Sequence, residues 1–455
     1  MYGGLTAGFA SSLWLEGCSH KPAFEGPNIF IISVDTLRAD HLSCYGYGKN
    51  TSPNIDNFSK EGLLFENCSS HASVTGSSLA SLLSGFLPHE TSVYRNHPLP
   101  KELEILPKTL KRRGYKTMAV VSNYALRKGR GWEKNFDVYD VNLKQREVIR
   151  RDHPERIAEY TTDRTIELIN RYQKKQMFMW VHYQDPHGPY TPPKSFADKF
   201  IDPNQQPLLL EYNTDHGQSG QFGIPLYQRL GDNKNYHYYV AQYDAEINYM
   251  DFHFKRLIDG IKKLGLYKNS IIIFTSDHGE GMGEHDYYFA HGDHLYNGLT
   301  HVPLIIKYAN QTGRIKNYVQ HIDIVPTVLE LIGLKPDLQY RGRFLLEEEY
   351  QTREIFAEIM LPLARGKIFS SLSVDGLKIV KNSISEKYRM FDLNLDKNEE
   401  NDLINNPEFK EKSKKLLTRL RQISKENLYG VKIILRPDEL TEEEKRIMKS
   451  HGYFE

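Results

Sequence analysis

Five short runs of almost unbroken apolar residues punctuate the first two thirds of the chain: IFIISV (29–34), TMAVVS (117–122), MFMWVHY (177–183), SIIIFTSD (270–277) and PLIIKY (303–308). Runs of this length, rich in Ile and Val, read as strands buried on both faces. Between them lie longer amphipathic stretches that read as helices, among them NIDNFSKEG (54–62), ERIAEYTTDRTIELINRYQ (155–173) and VAQYDAEINYMDFHFKRLIDGI (240–261). The alternation predicts an α/β fold, a large mainly parallel sheet with helices on both faces. In such sheets ligands bind beyond the carboxyl ends of the strands, so the polar residues that follow each apolar run are the first candidates for a site.

After DIVPTVLELIGL (323–334) the texture changes. The runs IFAEI (355–359), SSLSV (370–374), LKIV (377–380) and RMFDL (389–393) are short and closely spaced, and a charged helical stretch follows near 407–426. This predicts a small C-terminal α+β subdomain with an antiparallel sheet over 341–435, after a main domain over 28–340 and before a terminal helix over 436–455. The stretch 200–236, rich in Asn, Gln, Asp, Pro and Gly, reads as a loop insertion of the kind that borders substrate sites.

Charge narrows the choice of partner. Lys and Arg total 59 against 58 acidic residues, with no basic block, which argues against nucleic acid as a ligand. Three cysteines, Cys18, Cys44 and Cys68, allow at most one bridge and form no CxxC pair. The N-terminal GLTAGFASSLWLEGC is largely apolar and small and turns polar at SHKP. It resembles the signal segment and lipobox of a bacterial lipoprotein, too short to span a bilayer, so residues 1–27 are expected to direct export and to anchor the protein to a membrane through a lipidated Cys18, the alternative being an ordinary apolar N-terminal segment of a cytoplasmic protein.

Four segments carry candidate chemistry. Asp35 ends the first strand, where an acidic residue is commonly only a helix cap or turn former. Thr75 opens the short helix TGSSLASLLSG, at an end that favours anions but is also an ordinary place for a capping Thr. His182, Asp185 and His187 follow the third strand in VHYQDPHGPYTPP, where Pro186 and Pro189 stiffen the turn. Asp277 and His278 end the fourth strand and open a stretch in which acidic residues and histidines crowd together within eighteen residues, up to His294. Packing gives no reason for that crowding, and adjacent Asp and His at a strand end can ligate one metal.

Taken in order, VDTLRADHLSCYGY, TGSSLASLLSG, VHYQDPHGPYTPP, YDAEINYMD, LGLYKNSIIIFTSDHG, LYNGLTHVPLII, DIVPTVLELIGL and MFDLNLDKNEENDL resemble the successive signatures of the sulfatase family, within the alkaline phosphatase superfamily. The resemblance runs from about Asn28 to about Leu420. It implies an alkaline phosphatase-like sheet, a divalent metal held by Asp35, Asp277, His278 and the nucleophile, and a transferring group bound by His187 and a residue at or near His291. It also marks departures. Sulfatases carry CxPSR, whose Cys or Ser is oxidised to formylglycine. Here Thr75, Gly76, Ser77, Ser78 and Leu79 stand in its place, and threonine cannot become formylglycine. Thr36 replaces the second aspartate of the usual pair, and Ser122 and Asn123 stand where the family places Lys and His.

What remains is similar to the threonine-nucleophile members of the superfamily. The expected activity is therefore metal-dependent hydrolysis or transfer at phosphate or phosphonate esters, with Thr75 as nucleophile and His187, His291 and Asn123 contacting substrate. The alternatives are a sulfuric ester hydrolase that uses the unmodified threonine and a non-catalytic protein that binds an anionic glycan or lipid headgroup. Zinc or manganese suits the oxygen and imidazole donors best, with calcium and magnesium as alternatives. The expected substrate is an anionic ester of a small molecule, glycan or lipid headgroup.

Overall fold

The computed structural model describes residues 26–146, 154–214, 219–336, 340–347, 352–360, 368–382, 385, 387–423 and 426. The lipobox-like stretch ending at Cys18 and the terminal helix expected over 436–455 lie outside them. Eight strands build the main sheet: β1 (Asn28–Val34), β2 (Leu63–Ser69), β3 (Lys116–Val121), β4 (Val138–Asp140), β5 (Met177–Tyr183), β6 (Ser270–Ser276), β7 (His301–Lys307) and β8 (Gly313–Gln320). Their order across the sheet is β8-β2-β7-β6-β1-β5-β3-β4. All neighbours pair in parallel except those of β7, which runs against both β6 and β2.

Alternation along β1 divides the interior into two layers. Ile29 and Ile31 point into one core with Leu79, Leu82 and Val328, contributed by helices α2 (Thr75–Ser84) and α5 (Ile324–Leu331). Phe30, Ile32 and Val34 point into the other, against α1 (Pro53–Ser59), α3 (Ala158–Tyr172) and α4 (Tyr236–Lys263), through Phe58, Leu168 and Ile247. Every residue of β1 is buried, as are all those of β5 and β6 beside it. That double burial is the physical reason these runs lack a polar face. The mainly parallel sheet with helices on both faces is thus the one expected from the sequence.

The sequence did not single out β2 (LLFENCS) or β8 (GRIKNYVQ). Both are only partly buried and carry polar residues at several positions, so their apolar signal is weak. The four C-terminal runs form a separate antiparallel sheet, β9 (Glu354–Met360), β10 (Ile368–Val374), β11 (Leu377–Asn382) and β12 (Lys387–Asp392). Helix α6 (Lys410–Ile423) lays Leu416, Leu420 and Ile423 on Phe356, Leu372, Ile379 and Met390 of that sheet, and Leu87 and Ile322 of the main body join the same cluster. Within the insertion, Tyr212–Asn213 pairs with Ile224–Pro225, and the ends meet where Tyr236 N–H donates to Leu208 O at 2.8 Å.

Candidate active site

Because β1 and β6 are adjacent and in register at Val34 and Ser276, the residues that follow them come out side by side, and Asp277 N–H donates to Val34 O at 3.1 Å. Asp35, Asp277 and His278 are fully buried, and their potential ligand atoms all lie within 4.8 Å of one another. Asp35 Oδ1, Asp277 Oδ2 and His278 Nε2 have no hydrogen-bond partner. The His278 tautomer follows from its surroundings: Nδ1–H donates to Gly279 O at 2.9 Å, which leaves the Nε2 lone pair 3.6 Å from Asp277 Oδ2 and 3.9 Å from Asp35 Oδ1.

Two carboxylates and an imidazole lone pair brought together in a dry site are unfavourable unless a cation sits among them or one carboxyl takes up a proton. The donor set fits a divalent ion, and two carboxylates with one imidazole fit zinc or manganese well. Gly279 lets the backbone beyond His278 pass close to Gly298, since a Cβ there would lie 2.0 Å from Gly298 O.

Electrostatics divide the two carboxyls. Burial pushes Asp35 up, but His187, His182 and His278 around it outweigh burial and hold it well below the usual carboxylate range. Asp277 goes the other way, raised by burial and by the negative charge of Asp35. Burial pushes His278 down, consistent with a neutral ring offering a lone pair.

Thr75 is the first residue of α2 and is buried. The first turn of that helix is tied to the strand ends, because Ser78 Oγ donates to Asp277 O at 2.5 Å. On its other side Gly76 N–H donates to Asn96 Oδ1 at 2.8 Å, and a Cβ on Gly76 would lie 2.3 Å from Arg95 O. Immediately before Thr75, Ser73 Oγ donates to His294 O at 2.8 Å, and a Cβ on Gly292 would lie 3.3 Å from Val74. The loop that carries His291 therefore runs along residues 73–75.

Three imidazoles line up next to these groups, with ring centroids 4.6 Å apart for His278 and His291 and 5.2 Å apart for His291 and His187. His187 Nδ1–H donates to Gly188 O at 2.7 Å, and His291 Nδ1 pairs with Glu280 Oε1 at 3.0 Å. Each ring is thereby oriented through Nδ1. Burial and the neighbouring His278 push His291 down to about 3, so its ring is neutral near pH 7. Glu280, which also accepts from Tyr190 OH at 3.0 Å, is pushed up by burial to about 7. Asn123 donates through Nδ2 to Asp35 Oδ2 and accepts Ala125 N–H at 2.7 Å. The insertion closes over this side: Tyr227 OH and Gln228 Nε2 both donate to Phe289 O at 3.0 Å, and the Gln228 side chain covers Gly188.

The structure brings the residues marked in the sequence to one rim of the sheet. Asp35, Asp277 and His278 form the centre, His291 and His187 extend from it, Asn123 touches Asp35, and Thr75 heads the helix packed on Asp277. Sequence reasoning did not single out Glu280 as the partner of His291. Its only signal was membership of the crowded stretch 277–294, where nothing in one dimension says which acid meets which histidine.

An eight-stranded, mainly parallel sheet of this kind, with a separate small antiparallel sheet and an acid and histidine cluster at the strand ends, is the alkaline phosphatase-like architecture of ester hydrolases. The sulfatase family model matches residues 27–334. The chain belongs to the sulfatase family, whose members are metal-dependent. It is 22% identical to an N-acetylglucosamine-6-O-sulfatase of Bacteroides thetaiotaomicron over 91% of this chain and 90% of that protein. A structure solved in complex with its substrate D-glucosamine-2-N,6-O-disulfate superposes with a TM-score of 0.70 at 20% identity, covering 89% of this chain and 98% of the other. The phosphonate monoester hydrolase of Agrobacterium radiobacter is similar to the same degree, with a TM-score of 0.70, 20% identity, and coverage of 88% and 95%. Among the described residues no helix is long and apolar enough to cross a membrane.

Proposed function

We propose that this chain hydrolyses or transfers phosphate or phosphonate esters, with Thr75 as the nucleophile. The observation that carries the reading is the trio of buried, unpartnered donors Asp35 Oδ1, Asp277 Oδ2 and His278 Nε2, beside a helix that begins at Thr75 and is tied to Asp277 through Ser78. A divalent cation held by Asp35, Asp277, His278 and Thr75 would lower the pKa of the Thr75 hydroxyl and neutralise charge on a substrate oxygen. In the resting site His291 offers a neutral ring, its Nδ1–H committed to Glu280. An arriving anionic ester favours protonation of Nε2, after which His291, and His187 beside it, donate to a substrate oxygen or to the leaving group. Asn123 keeps one amide hydrogen for the same substrate.

The choice of phosphorus over sulfur rests on how the covalent adduct is released. A formylglycine hydrate carries a second hydroxyl on the attacked carbon, so its sulfate ester can expel sulfate by breaking a carbon–oxygen bond and leaving an aldehyde. A threonine ester has no such exit. Its adduct is broken by water or an acceptor alcohol attacking phosphorus, which relies on the positioning and charge neutralisation that phosphoryl transfer requires. A second reading, hydrolysis of a sulfate ester by the unmodified threonine, is supported by the sulfated substrate of the structural neighbour.

Matched nitrophenyl phosphodiester, phosphonate and sulfate substrates separate the two. The expected result is a higher kcat/KM on a phosphorus ester, lost by at least about 100-fold in Thr75→Ala, the scale on which removal of a positioned catalytic group acts. A clear preference for sulfate selects the second reading. Full activity of Thr75→Ala on the best substrate rejects the nucleophile, and a wild type inert toward all three supports a binding role.

A further inference from the structure

His182 lies on the side of Asp35 away from Asp277 and His278. It sits in β5, paired in register with Ser33 of β1, and it is fully buried. The Nε2 atom of its ring has no hydrogen-bond partner within normal geometry and is 3.5 Å from Asp35 Oδ2. A histidine this close to a metal-ligating carboxylate has two opposite uses. With a bare Nε2 it is a ligand for a second cation bridged by Asp35. With a hydrogen on Nε2 it is a donor that holds Asp35 in place.

The groups behind the ring distinguish these uses. Trp180 Nε1–H donates to Ser33 Oγ at 2.9 Å, and indole nitrogen can only donate, so Ser33 Oγ is the acceptor in that bond. The same Oγ lies 2.9 Å from His182 Nδ1 and 3.4 Å from Val181 O. The hydroxyl proton of Ser33 has two possible acceptors, and the nearer is His182 Nδ1. A ring that accepts at Nδ1 carries its hydrogen on Nε2. His278 shows the contrary arrangement, since its Nδ1 faces a carbonyl, which can only accept, so its Nε2 is bare.

The other partner of Asp35 agrees. Asn123 Nδ2 donates to the same Oδ2 that His182 faces, while Oδ1 has no partner and faces His278. One oxygen of Asp35 thus accepts from Asn123 and has His182 Nε2 3.5 Å away, while the other faces a ring nitrogen that carries no hydrogen. We infer that His182, held by the Trp180–Ser33 chain with its hydrogen on Nε2, is a positioning residue: it and Asn123 fix Asp35 Oδ2 so that Oδ1 alone is presented to one cation, and no second cation binds between Asp35 and His182.

The inference rests on the metal reading of Asp35, Asp277 and His278 but is testable without it. Nitrogen-15 NMR of the full chain, with His182 assigned by comparison with His182→Gln, reports which ring nitrogen bears hydrogen. Nε2 is expected to be protonated with and without added zinc or manganese. A bare Nε2 in the metal-free protein, or a metal-coordinated one after addition, overturns the inference even if the protein proves inactive.

Titration with zinc or manganese gives the second readout. His182→Phe, which fills the space without a donor, is expected to weaken cation binding about 10- to 100-fold, the usual cost of losing a hydrogen-bond partner of a ligand. His182→Gln, whose amide can donate to Asp35, is expected to recover part of that loss. Ser33→Ala, a much smaller change to the fold, is expected to weaken binding by a lesser factor. Unchanged affinity in both His182→Phe and Ser33→Ala, or a stoichiometry that falls from two to one in His182→Phe, contradicts the inference. If the wild type binds no divalent cation, the metal reading of the site fails, while the NMR measurement still decides the tautomer.

Discussion

Asp277 and His278 occupy positions where a side chain serves the site more than the core: both follow a strand, and their outward atoms lack partners. Asp277→Asn and His278→Ala are therefore expected to fold and to lose bound metal and ester turnover together. Metal content and the urea midpoint of each purified variant check this, and full occupancy with full activity in both removes the assignment. At this scale the sequence was legible wherever a polar residue ended an apolar run, which is how Asp35, His187, Asp277 and His278 were found. It was not legible for pairings such as Asn123 with Asp35 or Glu280 with His291. A side chain can reach a partner 88 residues away only after the sheet has placed β3 near β1, and no local pattern encodes that meeting.

Elements were legible in proportion to their burial. The fully buried strands β1, β5 and β6 and the long amphipathic helices α3 and α4 announce themselves, whereas β2 and β8 hide behind polar positions. Strand direction was hidden too: the run 303–308 gives no sign that β7 is the strand running against its neighbours, because a doubly buried strand has the same composition either way.

The turn after β5 is held to α4 by a pairing of acids. Asp185 and Glu246 are both buried, each with one unpartnered oxygen. Burial pushes Asp185 up to about 6, and burial together with Asp185 pushes Glu246 well above its usual value. A folded-state value above the unfolded one means that the native protein holds the proton more tightly. The pair thus contributes stability that is full below about pH 4 and declines as pH rises through about 6. Glu246→Gln removes the Glu246 titration, while burial still holds Asp185 up. Wild type loses stability with rising pH as Glu246 gives up its tightly held proton, so the variant's stability relative to wild type is expected to rise as pH climbs above about 4.5. Urea midpoints across that range test it, and parallel pH profiles for the two proteins would refute it.

On the scale of the whole molecule, the small sheet is fastened to the main body by buried polar contacts as well as by the apolar cluster around Phe356. Arg353, at the start of β9, donates through Nη1 to Asp323 Oδ2 at 2.6 Å and through Nη2 to Oδ1, and both residues are buried. Arg353→Ala leaves Asp323 as an uncompensated buried charge, at a cost of about 3–5 kcal/mol. The expected result is a lowered urea midpoint for the small sheet and α5 together, followed by the fluorescence of the unfolding chain. An unchanged midpoint would show that the pair is dispensable.

Strand β9 also reaches the segment that leads into Thr75. Glu358 N–H donates to His71 O at 2.9 Å, His71 Nδ1 donates to Phe356 O at 2.6 Å, and Glu358 Oε1 lies 2.6 Å from His89 Nδ1. This gives the order of synthesis a meaning. A ribosome completes Asp35, Thr75, His187, Asp277 and His291 long before it reaches residue 358, so a nascent chain can hold every candidate catalytic group while the approach to its nucleophile still lacks a brace. The segment that leads into Thr75 then gains these contacts only once β9 has been made, after every residue of the candidate site.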